Sequence, residues 1–135
     1  MTITDLNDEE ILSNLQRNVE ENAVQVEVLP LNWGDLPAQL TSRPFDMLVA
    51  SDVFYDEQLY DDLLCSVTGL MQLTGASLFL TVYRERSAED ALEAYLQKWG
   101  LELRAVAEVE EFVAQYMRER QCEGKFAVFV LGLRS

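Results

Sequence analysis

The feature that most constrains this chain is a change of period that repeats along it. Short apolar runs alternate with longer stretches whose apolar residues recur every three to four positions. Runs of the first kind read as strands and stretches of the second kind as amphipathic helices. Thr2-Ile3-Thr4 reads as the tail of a strand, with Asp5 at its end. Asn7 is expected to cap a helix, with Glu10 placed as in a capping box and Ile11, Leu12, Leu15 and Val19 inward. Val24 to Leu31 alternates as a strand does, the Asn32-Trp33-Gly34-Asp35 turn closes it, and Leu36 to Arg43 reads as a loop or a short helical turn. Phe45 to Ala50 is the next strand. A helix from about Asp56 to Gln72 follows, with Leu59, Leu63, Leu64, Val67 and Leu70 inward. Gly75 marks the turn into the β-prone run Ser77 to Tyr83. Ser87 with Asp90 is expected to cap a third helix bearing Leu92, Tyr95, Leu96 and Trp99 on one face, with Gly100 at its stop. Leu101 to Val106 is a strand, Val109 to Met117 is compatible with a helix, and Phe126 to Leu131 is an apolar final strand.

Strands alternating with helices predict an α/β fold, a mostly parallel sheet with helices on both faces. The last two strands are expected as an antiparallel pair. At 135 residues the chain is read as a single domain, 1–135. It contains no histidine, which leaves no Ser-His-Asp, Cys-His or His-metal arrangement. Cys65 and Cys122 do not make a disulfide or metal framework, so a reducing, intracellular compartment is the expectation. Neither a membrane-length apolar run nor a secretory leader is visible. The charge balance is lopsided: 24 acidic against 10 basic residues give −14. That argues against direct nucleic-acid binding, which needs Lys and Arg against phosphates. It suits either a basic partner, such as a Lys/Arg-rich protein tail, or merely a well-solvated surface.

Open α/β sheets bind ligands just beyond the carboxyl ends of their strands. Here those positions hold Asp5, Trp33-Gly34, Ser51-Asp52 and Tyr83-Arg84. The stretch Pro44 to Glu57 is the most telling, because the apolar run Met47 to Ala50 ends abruptly in Ser51-Asp52 before the pair Phe54-Tyr55. Asp52 read alone is either a turn or helix cap or a ligand carboxylate. An acidic residue after an early strand suits a ribose, because a carboxylate accepts from two hydroxyls. A Trp beside Gly suits either the core or a purine face. Tyr55 adds a hydroxyl and an aromatic face open to a cation.

With those residues in view, the chain resembles the seven-stranded, S-adenosylmethionine-dependent methyltransferases that modify lysine or arginine side chains of proteins. Three blocks carry the likeness: Thr2-Ile3-Thr4-Asp5-Leu6 with a helix ending Arg17-Asn18-Val19-Glu20-Glu21-Asn22; Leu31-Asn32-Trp33-Gly34; and Phe45-Asp46 through Asp52-Val53-Phe54-Tyr55. The last looks like the family's Asp-x-x-Tyr signature. Tyr83 to Asp90, Leu92-Glu93 and Lys98-Trp99-Gly100 look most like the branch associated with arginine methylation of histones. The resemblance implies a Rossmann-like sheet and S-adenosyl-L-methionine as cofactor. It implies that Asp5 holds the cofactor ribose, that Trp33 lies near the adenine and that Ser51 contacts the cofactor. Asp52 and Tyr55 would face the methyl-transfer site, and a basic protein such as a histone would be the substrate, in the cytoplasm, the nucleus or both.

One family element has no counterpart. The family opens its core with a strand and a Gly-rich loop, whereas the first glycine here is Gly34. In the family's sheet order that strand lies between the second and the fourth. The expectation is therefore a partial domain with unpaired strand edges. Three readings stand side by side: an incomplete piece of an active enzyme, a non-catalytic relative that binds a partner, or a chain whose strand is supplied by another in an oligomer.

Overall fold

The computed structural model describes residues 1–84, 89–108 and 126–134, with side chains at 1–82, 92–105 and 128–134. The expected cap at Ser87, the helix over 109–117 and Cys122 lie outside the described residues, as does the Asp90 side chain.

Strands β1 (Thr2–Asp5) and β2 (Glu27–Pro30) pair in parallel, Thr2 opposite Glu27, with helix α1 (Glu9–Glu21) between them in the chain. The cap of α1 is Asp8 rather than the expected Asn7. The Asp8 carboxylate accepts from the backbone N–H groups of Glu10 at 3.0 Å and Ile11 at 3.1 Å. Asn7 is engaged elsewhere, its N–H donating to Asn32 Oδ1 at 3.0 Å. β2 starts later than the alternation over Val24–Leu31 suggests, because the end of α1 overruns. Ala23 sits at φ 50, and Val24 N–H returns to the Val19 carbonyl at 3.3 Å.

The segment after β2 contains a single helical turn, α2 (Ala38–Thr41), whose Leu40 is buried. Strand β3 (Met47–Ser51) leads through a 3₁₀ turn (Glu57–Leu59) into helix α3 (Tyr60–Thr74). The helix ends at Gly75, whose φ of 82 only glycine adopts without strain, and whose N–H donates to the Met71 carbonyl at 3.1 Å. Then come β4 (Leu78–Arg84), α4 (Glu89–Lys98), β5 (Leu101–Glu108) and β6 (Phe126–Leu133).

These strands form a second sheet in the order β3-β4-β6-β5. β3 and β4 are parallel, while β6 inserts between β4 and β5 and runs antiparallel to both. The final strand is thus antiparallel, as the sequence leads one to expect. Among the described residues, parallel pairing is confined to β1/β2 and β3/β4. One face of this sheet carries Phe79, Thr81 and Leu131, all about fully buried against Leu64, Val67 and Met71 of α3 and Leu92 and Leu96 of α4. The opposite face carries Met47 and Val49, which are 47% and 66% exposed.

The described residues therefore form two sheets, with β1 at one edge of the first and β3 at one edge of the second. They are joined by side chains and loops instead of a strand ladder. The Arg43 guanidinium grips the Glu27 carboxylate of β2 through its two Nη nitrogens, which raises its own pKa and lowers that of Glu27. Phe45 N–H donates to the Thr74 carbonyl at the end of α3 at 3.3 Å.

Candidate active site

The exits of β1 and β2 are fastened to each other. Leu31 N–H donates to the Asp5 carbonyl at 2.8 Å, continuing the parallel ladder one step past the strands, and Asn32 accepts from Asn7. This brings Asp5 beside the turn that carries Trp33. The Asp5 carboxylate is exposed, and its Oδ1 accepts from Leu6 N–H at 2.8 Å, which fixes one oxygen and leaves the second for an incoming donor.

Gly34 lies at φ 92, a turn conformation that aims its N–H into α3. The acceptor is the buried hydroxyl of Ser66 at 2.8 Å, and the same hydroxyl donates to the Asp62 carbonyl at 3.1 Å. One side of Trp33 packs on the hydrophobic core, and its ring centroid lies 6.0 Å from that of Tyr55, at an interplanar angle of 44°. The loops leaving β2 and β3 therefore meet, although their strands belong to different sheets.

At the end of β3, Ser51 is exposed and Asp52 takes a left-handed backbone, φ 53. A non-glycine residue there is uncommon, with Asp and Asn the side chains that tolerate it best, and such outliers gather at functional sites. Two residues later Phe54 turns inward. It is 3% exposed, stacks edge-on against Tyr60 at 5.2 Å, and its carbonyl accepts from the Tyr60 hydroxyl at 3.3 Å. With Phe54 anchored, the neighbouring Tyr55 is thrown outward and is 52% exposed. Asp56 then caps the 3₁₀ turn, accepting from Gln58 N–H at 3.0 Å.

The structure thus gathers Trp33 and Tyr55 at one mouth, with Asp52 in the same loop as Tyr55 and Asp5 tied to the Trp33 turn. Asp5 and Asp52 end strands of different sheets. Tyr83 and Arg84 end β4, and only their backbone is described. Sequence reasoning missed Ser66, Tyr60, Asn32 and Gly69. Two of them left a signal: Ser66 interrupts the apolar stripe of α3 between Leu63 and Leu70, and Gly69 sits inside a helix, where it costs about 1 kcal/mol against Ala without a packing reason.

A family model described as lysine methyltransferase matches residues 1–99. Histone-arginine methyltransferase METTL23 of Xenopus laevis is 39% identical over 92 residues, covering 67% of this chain and 39% of that protein. The chain therefore spans well under half the length of that relative. In fold, it is similar to an S-adenosylmethionine-dependent methyltransferase from Clostridium acetobutylicum. The TM-score is 0.67 at 12% identity, over 99% of this chain and 75% of that one. A putative tRNA (m1A22) methyltransferase of Streptococcus pneumoniae, Sp1610, in complex with S-adenosyl-L-methionine gives 0.60 at 15% identity, over 99% and 55%. Strand exits that converge on Trp33 and Tyr55, in a fold of this kind and under a family match across 1–99, make the chain a member of the lysine methyltransferase family.

Proposed function

We propose that this chain provides the substrate-facing part of a protein methyltransferase, acting on a lysine or arginine side-chain nitrogen of a basic protein such as a histone. The observation that carries the reading is the meeting of Trp33 and Tyr55 across the two sheets, with the left-handed Asp52 in the same loop as Tyr55. S-adenosyl-L-methionine, when bound, supplies a methyl group on a positively charged sulfur. The residues present suit one side of it: Asp5 offers a carboxylate oxygen to ribose hydroxyls, Trp33 a half-buried indole face to adenine, and Ser51 an exposed hydroxyl.

Asp52 and Tyr55 handle the acceptor. A Lys or Arg side chain enters as a cation, which a carboxylate and an aromatic face both hold. The nitrogen must carry a free lone pair when it attacks along the line of the breaking C–S bond, so its proton passes to Asp52 or to water. The −14 net charge draws such a side chain toward the protein before contact. Cytoplasm and nucleus are where this reading places the chain, without nucleic-acid or membrane binding of its own.

Calorimetric titration with S-adenosylhomocysteine tests the cofactor side, and no heat up to about millimolar ligand sinks it for this chain. Methyl transfer from labelled cofactor to core histones tests the acceptor side. Asp52→Ala should abolish transfer while weakening cofactor binding far less, and equal losses would put Asp52 in the cofactor site instead. The split sheet favours a second reading, a non-catalytic acidic module that binds basic proteins. It requires cofactor-independent association that weakens steeply with salt.

A further inference from the structure

The chain from Gly34 to Leu40, which follows Trp33, is seated on α3, and the seat has two parts. The first is the Ser66 hydroxyl, 2% exposed, which accepts from Gly34 N–H at 2.8 Å across 32 residues of sequence. The second is a notch at Gly69. A Cβ built there would come within 2.4 Å of Leu36 Cδ1, so any side chain would displace the Leu36 side chain from its seat. Asp62, Ser66 and Gly69 follow one another along a single face of the helix, one turn apart. Their footing continues in α2, which packs on α3 with Leu40 buried.

We propose that Ser66 and Gly69 are positioning residues: together they hold the Trp33 ring in place against Tyr55, and hence set the shape of the aromatic surface that the two rings present to a ligand. Neither touches a ligand, and both act through the backbone of the segment that bears Trp33. This inference rests on the reading of Trp33 as a cofactor wall only for its effect on affinity. Its effect on Trp33 itself is independent of that reading.

Two variants approach the seat from its two parts. Ser66→Ala removes the acceptor of Gly34 N–H, and Gly69→Ala closes the notch while favouring the helix that bears it. A role confined to folding predicts that Gly69→Ala alters the thermal midpoint, through helix propensity and the displaced Leu36 side chain, and leaves the Trp33 resonance of the folded chain in place. The positioning role predicts the opposite for that resonance. With 5-fluorotryptophan incorporated, Trp33 and Trp99 give separate fluorine resonances. Both variants should shift and broaden the Trp33 resonance and leave the Trp99 resonance in place. Affinity for S-adenosylhomocysteine should fall at least tenfold in each, read well below the thermal midpoint of the variant. An unmoved Trp33 resonance in Gly69→Ala overturns the positioning role, whatever the affinities. A moved resonance with unaltered affinity upholds it and removes Trp33 from the cofactor site. If the parent chain binds no cofactor analogue, the proposed function fails, and the fluorine spectrum still decides the role of Ser66 and Gly69.

Discussion

At residue scale, the buried threonine hydroxyls divide into two that donate to a carbonyl and one that does not. Thr81 is 1% exposed in the middle of β4, and its Oγ1 has no hydrogen-bond partner among the described residues. A buried hydroxyl left unpaired costs roughly 1–3 kcal/mol of desolvation. The other buried hydroxyls behave differently: Thr68 and Thr74 donate to carbonyls one turn back, both at 2.7 Å. Thr81→Val, which keeps the shape and removes the oxygen, should therefore stabilise the chain by about 1 kcal/mol in a urea melt. Destabilisation would mean that the hydroxyl has a partner after all. Residues of this scale were unevenly legible. Asp52 and Tyr55 could be singled out because they follow an apolar run at a strand end, which is a local pattern. The left-handed turn at Asp52 and the hydroxyl of Ser66 that reaches Gly34 could not, since each depends on what the fold brings near.

At the scale of elements, α3 and α4 are joined through Asp61. Its carboxylate accepts from Lys98 Nζ at 2.6 Å and from Trp99 Nε1 at 2.9 Å. The Lys98 hydrogen bond is the main cause, and the Trp99 one the second, of an Asp61 pKa lowered from its ordinary 3.8. A carboxyl whose folded pKa is depressed adds stability above its unfolded pKa and loses it as pH falls through the folded value. The pair is exposed, so the contribution is small and weakened by salt. Asp61→Asn should accordingly melt lower than the parent at neutral pH, and the gap should close in acid, below about the unfolded pKa of a carboxylate. A gap that persists unchanged to pH 2 would mean that neither contact lowers the Asp61 pKa. The helices themselves were legible from their apolar periodicity and from Gly75 and Gly100. The cap of α1 was misplaced by one residue because Asn7 and Asp8 are both good caps, and only the Asn7–Asn32 contact decides between them.

At the scale of the whole molecule, the alternation of strands and helices announced the fold class, and the likeness to a methyltransferase family announced a break in its sheet. The position of β6 between β4 and β5 was not legible, because insertion of a late strand is decided by long-range pairing that no local period encodes. The break has a physical consequence. β3 is an edge strand with the composition of a buried one: Met47, Leu48, Val49 and Ala50 in succession, without a charge, a proline or a bulge. Natural edges avoid that pattern because it templates pairing with another chain. Val49, 66% exposed, extends the apolar surface of that edge. Against association stands the net charge of −14, whose repulsion salt removes as the screening length falls to about 10 Å at 0.1 M and about 3 Å at 1 M. The chain by itself should therefore be monomeric at low ionic strength and self-associate as salt rises, the reverse of an association driven by opposite charges. Val49→Lys places a charge on the exposed face of β3 without touching the buried face. It should keep the chain monomeric at high salt with its thermal midpoint preserved. Sedimentation at low and high salt reads both. A parent chain that stays monomeric throughout would mean that the β3 edge is already protected, while association that Val49→Lys leaves untouched would move the sticky surface to another part of the molecule.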